Sequence, residues 1–205
     1  MADALEFMGI LSAWALLHSL SMSQALKRAL MKVLGKRYAF YRLGFTAFSV
    51  VSFGAALLLL PRLPEELYKA HGLFAALLWL IRIAAAAFFI WTFKAFDVLE
   101  FTGLSQAKAF PNARLGQDGE FKGSHGLAVG GAYRYVRHPM YFASSVYLFA
   151  EPNMTLERLL FAVFVTAYGL IGSVFEERRL VEKFGEDYRR YQEEVPRFIP
   201  RFSLR

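Results

Sequence analysis

The chain has 205 residues, 56% of them hydrophobic and 17% aromatic, with a formal charge of +7 and no cysteine. The missing cysteines exclude disulfides, thiolate nucleophiles and thiolate-held metals, and the four histidines (His18, His71, His125 and His138) form no spaced metal-binding pair. The apolar residues are bunched into long blocks, which points to lipid, and the basic residues are placed as orientation signals rather than as a nucleic-acid surface.

Met1 to Glu6 carries Asp3 and Glu6 and no basic region, so the start of the chain reads as a retained helix and not as a cleaved leader. The first helix is expected from Leu5 to about Ser23. His18 and Ser19, near its inner end, read either as an interfacial polar pair or as groups facing a substrate cavity. Gln24 to Arg37 is basic, with Ala25, Leu26, Ala29, Leu30, Val33 and Leu34 at helical spacing, which predicts an amphipathic helix lying on the inner surface. A second helix from Tyr41 to Leu60 is stopped by Pro61 and Pro64. The third, Gly72 to about Phe96, contains Arg82, which must find a partner or water because a charge against lipid costs roughly a few kcal/mol. From Asp97 to Ala132 hydropathy collapses, and Gly103, Pro111, Gly116, Gly119, Gly123, Gly126, Gly130 and Gly131 interrupt any regular pattern. That stretch is expected to be a long inner loop, with apolar residues enough for a packed lid.

Polar chemistry meets an apolar helix between Gly130 and Ala143. Gly130 and Gly131 free the backbone, Arg134, Arg137 and His138 supply donors, and Pro139 suits the first helical position because it has no amide hydrogen to lose. The helix it opens, to Ala150, spans only about 18 Å, against the roughly 30 Å of a hydrocarbon core. Glu151-Pro152-Asn153 reads as the tip of a helical hairpin, with Asn153 or Thr155 capping a descending helix that ends at Glu176-Glu177. Arg137, His138 and Tyr141 at one foot would then face the two acids at the other. The descending helix is longer, which sets the acids roughly 13 Å further along and leaves a gap for the preceding loop or an elongated ligand. Arg178 to Gln192 is a charged amphipathic helix bearing Leu180, Val181, Phe184, Tyr188 and Tyr191, and Val195 to Pro200 is an extended tail.

The expected fold is all-α: a polytopic integral membrane protein with about five transmembrane helices, including a C-terminal helical hairpin followed by a cytoplasmic amphipathic helix. It forms a single domain over 1–205, with three transmembrane helices in 1–96, a cytoplasmic loop in 97–138, the hairpin in 139–178 and the cytoplasmic helix and tail in 179–205. On that layout twenty lysines and arginines fall inside and three outside, which predicts an external N-terminus, a cytoplasmic C-terminus and contact with anionic lipids at the inner surface, and no nucleic-acid partner.

Tyr133, Arg137-His138-Pro139, Tyr141, Glu176-Glu177, Leu180, Phe184-Gly185, Tyr188, Tyr191 and Val195-Pro196-Arg197-Phe198-Ile199-Pro200 resemble, as a set, the C-terminal half of the membrane methyltransferases typified by isoprenylcysteine carboxyl methyltransferase. His18-Ser19-Leu20, Tyr41-Arg42-Leu43, Gly103-Leu104-x-Gln106 and Glu151-Pro152-Asn153-Met154-Thr155 are similar to the branch that contains bacterial methanethiol S-methyltransferases. The resemblance implies a bacterial cytoplasmic membrane, S-adenosylmethionine as cofactor, and a small apolar thiol as methyl acceptor. It implies a cofactor pocket lined by Gly131, Tyr133, Arg137, His138, Pro139, Tyr141, Glu176, Glu177 and Tyr188, with no metal. His18, Arg134 and Arg137 are the groups that would favour a thiolate, by positive field or by proton acceptance. Other readings stay open: an isoprenylcysteine carboxylate or phospholipid amine as acceptor, a nicotinamide-dependent sterol reductase, for which the chain is short, and a non-enzymatic membrane scaffold or small transporter.

Overall fold

A computed structural model describes residues 1–116 and 126–200. In chain order its elements are α1 (Ala2–Ser21), α2 (Gln24–Leu34), a 3-10 turn (Gly35–Phe40), α3 (Tyr41–Leu59), β1 (Glu66–Lys69), α4 (Gly72–Thr92), α5 (Val98–Thr102), α6 (Leu104–Lys108), a second 3-10 turn (Gly131–Arg134), α7 (Pro139–Phe149), β2 (Asn153–Thr155), α8 (Leu156–Phe184) and α9 (Glu186–Glu194). Lys122, Gly119, Gly123 and His125 of the expected inner loop, and Arg201 and Arg205 of the tail, lie outside the described residues.

The helical, polytopic membrane class holds. Four helical stretches, Ala2–Ser21, Gln24–Leu59, Gly72–Ala95 and Leu156–Phe184, are long and apolar enough to cross a membrane. α7 has 11 residues, a rise of about 16 Å, and is not among them. The chain, expected as one domain over 1–205, divides into two compact units, Met1–Pro61 with Phe96–Gly126, and Arg62–Ala95 with Leu127–Arg205.

In the first unit α1 packs on α3 through Phe7, Leu11 and Ala15, a stripe at four-residue spacing. Trp14 Nε1 donates to Ser52 Oγ at 3.2 Å, and the Tyr41 hydroxyl donates to the Ser21 carbonyl. Ser23 Oγ caps α2 by accepting from the Leu26 amide at 3.3 Å. The stretch after Asp97 is more ordered than its glycines suggested. Asp97 Oδ1 accepts from the amides of Leu99 and Glu100 and starts α5, and Gly103, at φ +90°, ends it and turns the chain into α6. Gly103 also lets this segment press on α3, because a Cβ there would lie 2.3 Å from the Leu43 amide nitrogen. Arg42 Nε donates to the Phe101 carbonyl at 2.8 Å from the same side, so two motifs far apart in sequence meet.

In the second unit α4 packs along α7, and α7 along α8. The all-α expectation misses a small antiparallel ladder at the tip of the α7–α8 connection, where Glu66 pairs with Thr155, Tyr68 with Met154 and Lys69 with Asn153. Strands this short leave little alternating pattern to read. Thr155 Oγ1, not Asn153, caps α8 by accepting from the Arg158 amide. Below the ladder Arg82 finds the partner it needs: it is buried, pairs with Glu151 just past the end of α7, and lies over the rings of Tyr147 and Trp79, with centroids 4.1 Å and 5.3 Å away. Arg158 reaches the other oxygen of Glu151 at 3.2 Å. The last helix boundary also moves. α8 runs past the acid pair to Phe184 and breaks at Gly185, φ +58°, since no residue between Arg178 and Phe184 interrupts it.

Gly103→Ala is expected to lower the melting temperature of the detergent-purified chain, because a left-handed alanine costs roughly 1–3 kcal/mol and the clash with Leu43 adds a similar amount. Gly9→Ala, with nothing within 4 Å of the added carbon, is the control and should melt like the wild type. Equal melting of the two variants would show that Gly103 is not held against α3 this closely.

Candidate functional site

The site is built at the foot of the second unit, where the loop ahead of α7, the last third of α8 and the end of α9 meet. Ala132 and Val136 are buried and hold the loop, and Gly131 takes φ +58° to enter its 3-10 turn. His138 leaves the helical region and Pro139 opens α7, so Arg137 and His138 project just ahead of the first turn.

Tyr141, one turn into α7, lies along a stripe of small residues on α8. A Cβ on Gly169 would lie 3.3 Å from its ring and one on Gly172 3.8 Å from its hydroxyl. The hydroxyl then donates to Glu176 Oε2 at 3.3 Å. This is how the expected 13 Å offset disappears: Tyr141 packs beside Gly169 and its ring reaches along the helix to the acids, so the two feet touch directly. The stripe Gly169, Gly172 and Ser173 is a signal the sequence carries and the sequence reading missed.

Glu177 is saturated by its own chain. Its Oε1 accepts from Arg137 Nε at 2.8 Å and faces His138 Nε2 at 3.0 Å and Arg197 Nε at 3.7 Å, while Oε2 accepts from Gln192 Nε2 at 3.0 Å. Arg137 is equally committed, since its Nη1 donates to the carbonyls of Gln192 at 2.7 Å and Val195 at 2.8 Å. Glu176 differs. Its side chain is 39% exposed, against 12% for Glu177, and its contacts are the Tyr141 hydroxyl and His138 Nδ1 at 3.6 Å. Of the two acids, Glu176 keeps the capacity to accept from a ligand.

The tail closes over the loop. The amides of Arg137 and His138 donate to the carbonyls of Pro196 at 2.9 Å and Arg197 at 3.2 Å, and the Tyr191 hydroxyl donates to the Tyr133 carbonyl at 2.6 Å. Tyr188, Tyr191 and Val195 form a buried cluster with Leu127, Leu180, Val181 and Phe184 beside them. Tyr188, expected in the cofactor pocket, is 1% exposed within that cluster. Burial pushes the Tyr133 phenol up to about 12, with the charge of Glu176 adding to it, and raises Tyr188 and Tyr191 for the same first reason. Folded values above the unfolded value near 10 mean that the stability these neutral phenols give is whole below about pH 10 and is lost as pH rises past it.

Of the expected residues, Arg137, His138, Tyr141, Glu176 and Glu177 are in mutual contact, and Gly131, Tyr133, Pro139 and Tyr188 belong to the same unit. Arg134 is exposed beside them, with no ion-pair partner among the described residues. His18 belongs to the first unit, where it lies between the rings of Trp14 and Phe45 at 5.0 Å and 5.1 Å. Gln192 and Arg197 were not singled out as site residues, although Gln192 lies one turn beyond Tyr188 and Arg197 within the tail motif.

The sequence profile of the NnrU protein family matches residues 6–202, nearly the whole chain. The chain belongs to the NnrU protein family. Among curated proteins this NnrU chain is 36% identical over 132 residues to a methanethiol S-methyltransferase of Pseudomonas sp. (strain GM41(2012)), covering 63% of the chain and 46% of that relative. It is 49% identical over 73 residues to the methanethiol S-methyltransferase of Pseudomonas deceptionensis, covering 36% and 27%, and 44% identical over 68 residues to that of Mycobacterium tuberculosis, covering 33% and 28%. The matched segments span less than half the length of these relatives. No solved structure matches the chain. The resemblance expected from the sequence is borne out at the level of the family.

Glu177→Ala in this NnrU protein should destabilise it by roughly 2–3 kcal/mol, since it strips a half-buried carboxylate from Arg137, His138 and Gln192 at once. Glu176→Ala, at a half-exposed position with one hydrogen bond, should cost about 1 kcal/mol. Thermal unfolding of both variants checks the ranking, and equal losses would contradict the unequal roles of the two acids.

Proposed function

We propose that this chain is an integral membrane methyltransferase that uses S-adenosylmethionine and methylates the sulfur of a small thiol such as methanethiol to give dimethyl sulfide. The observation that carries the proposal is the contact between Tyr141, His138 and the pair Glu176-Glu177, because these are the residues on which the resemblance rests. That the relatives are methanethiol S-methyltransferases supports the thiol as acceptor.

The residues suit such a ligand. Glu176 offers an exposed carboxylate to an ammonium or to ribose hydroxyls, His138 and Tyr141 orient that carboxylate, and the faces of Tyr133 and Tyr141 suit an adenine or a sulfonium. S-adenosylmethionine would supply an electrophilic methyl group on a sulfonium. The chain's part is then alignment and exclusion of water, with no covalent intermediate and no thiolate of its own, in keeping with its lack of cysteine. Arg134, exposed at the end of the 3-10 turn, would add a positive field that favours a thiolate over a thiol. His18 is the candidate proton acceptor.

The four long helical stretches supply four crossings, and we assign a fifth to α7 with the ladder beyond its end. The basic residues then favour an external N-terminus, a cytoplasmic C-terminus, a cytoplasmic-membrane location and anionic lipid at the inner surface.

Purified protein incubated with S-adenosylmethionine and methanethiol should release dimethyl sulfide into the headspace, with the yield falling in Glu176→Gln. Methylation of a prenylated cysteine or an aminophospholipid by the same preparation, with no dimethyl sulfide, would move the acceptor to the lipid class.

A further inference from the structure

An arginine beside a proposed carboxylate-bearing ligand invites the assumption that it grips that carboxylate, but Arg137 gives its Nε and Nη1 to its own chain. Its Nε is held by Glu177 and its Nη1 by the carbonyls of Gln192 and Val195, and only 10% of its side chain is exposed. Its contacts join the loop ahead of α7 to Glu177 on α8, to Gln192 at the end of α9 and to Val195 just beyond it. The loop and the C-terminal segment are also joined by the paired backbone contacts of 137 with 196 and 138 with 197 and by Tyr191 on the Tyr133 carbonyl, while Gln192 ties α9 to Glu177 on α8.

We propose that Arg137 is a positioning residue: together with Glu177 it latches the C-terminal segment 192–197 onto the loop 133–138, and that closure sets Tyr133 and Glu176 for the ligand. Glu177 is the anchor of the latch and Glu176 the ligand-facing acid. The division follows from their surroundings, since one carboxylate is filled by Arg137, His138 and Gln192 and the other is left with Tyr141, the flank of His138 and open space. A guanidinium suits the task because its planar fork serves a carboxylate and two carbonyls at once, which a single ammonium does less well. The ligand half of this inference rests on the S-adenosylmethionine reading above; the latch itself does not.

Two measurements on the full-length chain in detergent test it. The chain has no cysteine, so Val195→Cys, at a position 9% exposed, provides a lone thiol under the latch. Its labelling by a maleimide should be slow, should speed up roughly tenfold or more when Arg137→Ala is added, and should be partly slowed again by Arg137→Lys. Unchanged labelling overturns the latch. The second measurement is the affinity for S-adenosylhomocysteine and for its counterpart lacking the carboxylate. Positioning predicts that Arg137→Ala weakens both by the same factor, again roughly tenfold or more, whereas a direct grip predicts a loss confined to the carboxylate-bearing ligand, which would overturn the proposal. If Arg137→Ala does not fold, Arg137→Lys carries both comparisons. If the wild type binds neither ligand, the donor-site reading falls and the latch is decided by the labelling.

Discussion

One carboxylate holds the second unit's foot together. Glu177 lies two turns before the end of α8, and its two oxygens gather Arg137 and His138 from the start of α7, Gln192 from α9 and Arg197 from the tail. A buried charge is tolerable only when it is paired and hydrogen-bonded, so each of these groups is fixed by the need to satisfy it. The position of the loop, the closure of the tail and the freedom of Glu176 all follow from that single point of convergence.

The other end of the same unit meets the same constraint with different residues. α7 has only 11 residues, and Glu151, just past its end, pairs with Arg82 on α4. The cation is matched by Glu151, which it shares with Arg158, and covered by Tyr147 and Trp79, while the β1–β2 ladder satisfies the backbone of the connection to α8. A buried charge and a short connection both require such compensation, because a charge or backbone group taken out of water needs partners of its own. The short helix and the buried arginine, separate puzzles in the sequence, explain one another.

Much of this was legible in the sequence, and what was not has identifiable reasons. The long helices could be read because lipid demands long apolar runs, and the stop of α3 at Pro61 and the start of α7 at Pro139 are written in residues that cannot continue a helix or suit its first position. The gathering of Arg137, His138, Tyr141 and the acids could be read because the pieces are distinctive together. The ladder could not, since strands of four and three residues carry no period worth the name. Which acid faces outward is a matter of tertiary partners, and Glu176 and Glu177 are identical in sequence terms. Gly103 shows the converse: it was read as one of several chain breakers, whereas its role is a close approach to Leu43 that only a residue without a side chain permits. Gly185 was readable as the true end of α8 and was passed over for the more conspicuous acid pair.

The central claim, that Glu176 is the acid of an S-adenosylmethionine site, is tested most directly by an equilibrium titration of S-adenosylmethionine into the detergent-purified chain and its Glu176→Gln variant. The account predicts saturable binding to the wild type and a dissociation constant roughly tenfold or more higher in the variant, the loss expected of a charge-assisted contact. A folded wild type that shows no saturable binding, or a variant that binds as tightly, would contradict it.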